Sequence, residues 1–361
     1  MTEQNPSLPV SARERLRLSL RQGDSTPSVM EKVRRRYIKT KRDDVLLAAF
    51  DKLLTDICER PDPEGRDDDG SEAGEVNLLL VLGPSGAGKT RSLKRLFSTH
   101  PALETAKGER GPLLSLSAPS PCGVKELGKA ILAATGYTVL RTRVDGPEIW
   151  NMIRKRLPPL GVLIIHIDEA QHGTQLRDHT ERQKLLNSFK ALMVDPVHPV
   201  AFILSGLPQV ADFISMDEQV SRRAGWIRLR PVGLSSDRAM LTEATKSFAK
   251  LASLDVSADE ITRLLPRLVH ASDNRLGILV EEIHGAIRYA LGVKATELKV
   301  IHFEKSFEER TGNLPQWNPY ARSDYKAVNV WRMLATRDKP DPAVTKKGKT
   351  VSSEDTKEDR S

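Results

Sequence analysis

The chain has little of what marks a secreted or membrane protein. Its 361 residues include only two cysteines, Cys58 and Cys122, far apart and in no metal-ligand spacing. That excludes a disulfide framework and a cysteine-zinc site, and it suits a reducing cytoplasm. No apolar run approaches the ~20 residues that a membrane helix needs. The longest, GVLIIHI and VNLLLVLG, are of strand length. The opening stretch MTEQNPSLPVSARERLRL lacks the apolar core of a secretory signal, so a cytoplasmic protein without a membrane partner is expected.

Charge is plentiful but unevenly spread. The net charge is +8, and residues 1–42 carry eleven basic side chains against four acidic ones, nearly the whole excess. A basic arm of this kind suits phosphate contacts, most often with nucleic acid, although a solubilising tail has the same composition.

The length fits two domains, or one large domain with appendages. Residues 43–58 carry apolar side chains at helical spacing behind an acidic start, which predicts a helix. Residues 60–75 gather proline, glycine and acids into a mobile surface insertion. Strands are then predicted at 76–82, 112–118, 162–168, 200–206 and 226–232. Helices fall between them at 89–98, 124–136, 147–157, 182–194 and 208–214. Apolar strands alternating with helices predict an α/β fold whose parallel sheet is covered on both faces. From 235 to about 291 only helical patterns remain, as in a small helical lid. The expected partition is a basic arm (1–42), a nucleotide-binding α/β domain (43–232), a lid (233–297), a C-terminal extension (298–336) and a disordered tail (337–361).

VLGPSGAGKT contains Gly83-x4-Gly88-Lys89-Thr90, the P-loop pattern, with a strand before it and a helix after it. The glycines permit a nest of N–H groups facing phosphates, and the helix N-terminus adds its positive dipole end. Lys89 would reach the β- and γ-phosphates, and Thr90 would offer a hydroxyl to Mg²⁺. Asp168 ends a strand expected to neighbour that of the P-loop, and its carboxylate suits Mg²⁺ held through water. Glu169 beside it is suited to activating an attacking water, which separates a hydrolase from a P-loop kinase. His166, Gln171 and His172 lie nearby, but no third ligand is placed for a metal, so His166 reads as a core histidine. Ser205 ends the strand VAFILSG, expected beside VLIIHID; it suits either contact with the γ-phosphate or simple turn formation. Arg222 and Arg223 precede the last strand. An arginine there that reached a neighbouring subunit's nucleotide would accelerate hydrolysis ~10³- to 10⁵-fold. Arg275, at the head of the last lid helix, could close onto the phosphates.

In that order, these features resemble the AAA+ ATPases. In finer wording the chain is similar to the transposition-regulator ATPases of the TniB and TnsC type, relatives of MuB. The matching stretches are RRYIKTKRDDVLLAAFDKLL, LSLSAPSP, LIIHIDEAQH, ILSGLPQVADFI, SRRAGWIRL and HFEKSFEERTG followed by NPY. The resemblance spans roughly residues 30 to 320. It implies a P-loop AAA+ parallel-sheet domain with a small C-terminal helical lid. It also implies that ATP is bound by Gly83, Pro84, Ser85, Gly86, Ala87, Gly88, Lys89, Thr90, Arg91 and Arg275, with Mg²⁺ at Thr90 and Asp168. Hydrolysis would fall to Lys89, Asp168, Glu169, Ser205 as a sensor, and Arg223 acting on a neighbouring subunit. Such proteins assemble with ATP on duplex DNA as rings or filaments, and recruit or stimulate a DDE transposase, often with an adaptor. Backbone-gripping candidates are Arg34, Arg35 and Arg36 in the arm, and Arg141 and Arg143 in LRTRVDG. Relatives commonly carry NPF where this chain has Asn318-Pro319-Tyr320. Two alternatives stay open: an AAA+ ATPase acting on a protein partner in secretion or replication loading, and a monomeric P-loop phosphotransferase, against which Glu169 and the lid argue.

Overall fold

A computed structural model describes residues 11–19, 26–59, 77–105, 110–138, 144–176, 178–312 and 315–330. The insertion expected at 60–75, the candidate DNA contacts Arg141 and Arg143, and the tail expected from 337 lie outside the described residues.

Among the described residues, five strands form one parallel sheet: β1 (Leu78–Leu82), β2 (Leu113–Ser117), β3 (Ile164–Asp168), β4 (Ala201–Gly206) and β5 (Ala224–Arg228), in the order β2-β3-β4-β1-β5. The three inner strands are apolar almost throughout because both faces of the sheet are covered. Side-chain alternation divides each of them between two cores. Leu78, Leu80, Leu82, Ile165, Ile167, Phe202 and Leu204 face one core, built with α5 (Val124–Ala134), α6 (Gly146–Arg156) and α7 (His179–Met193). Leu79, Val81, Ile164, Ala201 and Ile203 face the other, built with α3 (Lys41–Cys58) and α4 (Lys89–Thr99).

Two expectations need correction. β3 does not neighbour β1, because β4 lies between them. Asp168 still reaches the P-loop, since β4 ends in the small residues Ser205 and Gly206. The last strand is Ala224–Arg228 rather than 226–232. Its register against Leu78–Leu82 fixes that span, and Pro231 has no N–H with which to extend the ladder.

A third core gathers α10 (Leu234–Leu251), α11 (Ala258–Ala271), α12 (Leu276–Gly292) and α13 (Val300–Thr311). In α13, Phe303 and Phe307 are one helical turn apart and both buried. The basic arm holds α1 (Ala12–Ser19) and α2 (Thr26–Arg35); α2 buries Met30 and Val33 in this same core, so that part of the arm is docked on the helical unit. Tyr320 packs against Phe303 and Phe307, and its hydroxyl donates to Glu282 at 3.4 Å. The short helices α8 (Val210–Ile214) and α9 (Glu218–Arg222) link β4 to β5. Among the described residues no helix is long and apolar enough to cross a membrane.

Candidate active site

The P-loop leaves β1 at Leu82 and turns into α4. Gly86 (φ 76°) and Gly88 (φ 98°) occupy the left-handed region that glycine adopts without strain. At Gly88 a Cβ would meet nothing within 4 Å, so conformation alone calls for glycine there. Lys89 is buried, and its Nζ donates to the carbonyls of Gly83 (2.8 Å) and Pro84 (3.2 Å). Burial lowers its pKa, while the carboxylates of Glu169 and Asp168 work to raise it.

Thr90 Oγ1 donates to Asp168 Oδ2 at 2.7 Å, and Ser205 Oγ donates to Asp168 Oδ1 at 2.6 Å. Burial would raise the Asp168 pKa, but these hydrogen bonds, the Glu169 N–H and nearby His166 hold it below the ordinary carboxylate value. Ser205 gives its single proton to Asp168, so the His166 Nε2 contact at 3.0 Å requires Nε2 to donate to Ser205. His166 Nδ1 then accepts from Ser115 Oγ at 2.8 Å. Burial pushes the His166 pKa down to about 4, so the ring is neutral near pH 7. The histidine is a core residue, as expected, and also joins β2, β3 and β4 beneath Asp168.

Glu169 has φ 56°, unusual for a residue with a side chain, and this turns it out of the strand. Its carboxylate accepts a hydrogen bond from the Gln171 side-chain amide, whose oxygen accepts the Leu207 N–H at 3.2 Å. Sequence reading assigns Gln171 no role; its only signal is its place two residues after Glu169.

The helical unit closes directly on the loop. Gly277 N–H donates to Gly86 O at 2.8 Å, and Arg275 Nη1 donates to Ser85 O at 3.2 Å. A cavity of about 480 Å³ lies between them, lined by Gly86, Lys89, Thr90, Glu169, Ile38 and Val280 among others. Arg91 also lines it, and donates to the carbonyls of Arg34 (2.6 Å) and Arg36 (2.7 Å), tying the end of α2 to α4. Arg34, Arg35 and Arg36 are exposed, and Arg35 pairs with Glu31 at 2.7 Å.

Arg223 is not brought to this cavity. Its carbonyl accepts the Leu78 N–H at 3.0 Å, at the opposite end of β1 from the P-loop and roughly 13 Å away at the usual rise per strand residue.

The parallel sheet, the P-loop and the helical unit together define a P-loop AAA+ ATPase fold. Residues 69–233 match the family described as "Bacterial TniB protein", so the resemblance read from the sequence is borne out over that span. No curated protein matches the chain. Among solved structures, ORC2 of Aeropyrum pernix in ADPNP–ADP complexes is similar at 15% identity, covering 76% of this chain and 68% of that one, with a TM-score of 0.53. Cdc6p of Pyrobaculum aerophilum is similar at 14% identity, 78% and 70% coverage and a TM-score of 0.55. ORC1 of A. pernix in complex with DNA is similar at 15% identity, 78% and 69% coverage and a TM-score of 0.54. At these identities the likeness is one of fold.

Proposed function

We propose that the protein is a Mg²⁺-dependent AAA+ ATPase that assembles as a homo-oligomer on double-stranded DNA and regulates transposition by recruiting or activating a DDE transposase. The observation that carries the ATPase reading is that Lys89, Thr90 and Glu169 line one cavity, with Asp168 bonded to Thr90 and the buried Ser205 bonded to Asp168 behind it. Residues Gly83–Thr90, with Arg91 and Arg275, would hold the nucleotide, and Glu169 would orient and deprotonate the attacking water. Ser205 would report the state of the γ-phosphate to Asp168.

The residues fit Mg²⁺. Thr90 would offer its hydroxyl and Asp168, whose pKa is held below the ordinary carboxylate value, an ionised carboxylate beside it that acts through water. Mg²⁺ there would neutralise charge on the β- and γ-phosphates. A role for Arg223 on a neighbouring subunit's nucleotide rests on the resemblance alone; within this chain its Nε and Nη1 are buried.

The transposition role rests on the family match over 69–233. DNA contact through Arg34, Arg35 and Arg36 rests on their exposure and on the basic arm, and the ORC1 neighbour was itself solved with DNA. A cytoplasmic location accords with the two free cysteines. The test is ATP hydrolysis with and without duplex DNA, at two salt concentrations and several protein concentrations. Stimulation that weakens with salt and rises cooperatively with protein is expected. Hydrolysis indifferent to DNA would favour an AAA+ machine acting on a protein.

A further inference from the structure

The lid helix α12 begins at the P-loop and runs along the cavity wall. Leu276, Val280 and His284 follow one another at four-residue spacing and all line the cavity. From Gly277, bonded to Gly86, to His284 the helix rises ~10 Å. That carries His284 from the phosphate loop towards the far end of the site. The walls there include the apolar side chains of Ile38, Phe248 and Val280, and the Phe248 and His284 rings meet edge to face at 5.0 Å.

The Nε2 atom of His284 is buried and has no hydrogen-bond partner. Leaving such an atom unmatched is unfavourable. Burial, with Arg91, Arg34 and Arg288 close by, pushes its pKa down to about 4, so the ring is neutral near pH 7. Apolar walls at Ile38, Phe248 and Val280, beside a neutral imidazole with one unmatched polar atom, suit a flat heteroaromatic ring.

We infer that His284 recognises the base of the bound nucleotide through Nε2. This rests on the ATP-site reading above. The test is equilibrium binding of ATP and of ribose 5-triphosphate, which has the phosphates and sugar without the base, to the full chain and to His284→Ala and His284→Gln. His284→Ala is expected to weaken ATP about tenfold and ribose 5-triphosphate less than twofold, with His284→Gln recovering part of the loss. Equal losses on both probes, or no loss on ATP, would overturn the assignment. If the unaltered chain binds neither probe, the ATP-site reading itself fails and takes this assignment with it.

Discussion

The Gln171 side chain spans from the Glu169 carboxylate to the Leu207 N–H, joining the candidate water-activating group to the end of β4. Ser205 lies two residues before Leu207 and is bonded to Asp168. Both acids are thus positioned from one strand end.

Removing that amide should affect chemistry more than binding. Gln171→Ala is expected to lower kcat by about tenfold, a fraction of what a general base contributes, with KM changed less than twofold. Steady-state kinetics check this, and a matched rise in KM would point to a general loss of structure.

Contact between the lid and the P-loop should be sensitive to one methyl group. A Cβ on Gly277 would lie 2.5 Å from the Gly86 carbonyl oxygen, a backbone atom that cannot turn aside. Gly277→Ala is expected to weaken ATP binding about tenfold. Helix propensity alone would favour alanine, so a more tightly bound nucleotide would contradict the latch.

Acid should destabilise the fold through His166. Its pKa falls from 6.5 to about 4 on folding, so the unfolded chain binds the extra proton between these values. Stability is therefore full above about 6.5 and declines as pH falls towards 4, by up to ~3 kcal/mol from this group. Denaturant midpoints across that range check it, and His166→Gln should flatten the decline.

The arginines at the end of α2 should act through phosphates. Replacing Arg34, Arg35 and Arg36 together with alanine is expected to reduce the slope of log K against log salt by about 2 to 3. Titrations of duplex DNA at several salt concentrations measure that slope. An unchanged slope would remove these residues from the interface.

Much of the site was legible because its chemistry demands particular residue types within short segments. Gly83 to Thr90 form one contiguous segment, the loop and the first residues of α4, and Asp168 and Glu169 are adjacent. What was not legible depends on distant partners. His166 takes its role from Ser115 and Ser205, on two other strands. The place of β4 between β3 and β1 is a property of chain crossover, which local patterning does not encode. The docking of α2 depends on Met30 and Val33 meeting a core whose helices come about two hundred residues later.

The most direct measurement is dissociation from duplex DNA of Glu169→Gln protein assembled with Mg²⁺ and ATP, followed beside the unaltered chain. The expected result is a long-lived DNA-bound oligomer with hydrolysis reduced at least ~100-fold. Dissociation as fast as that of the unaltered chain, or hydrolysis at its rate, would contradict an ATP-controlled assembly switched by Glu169.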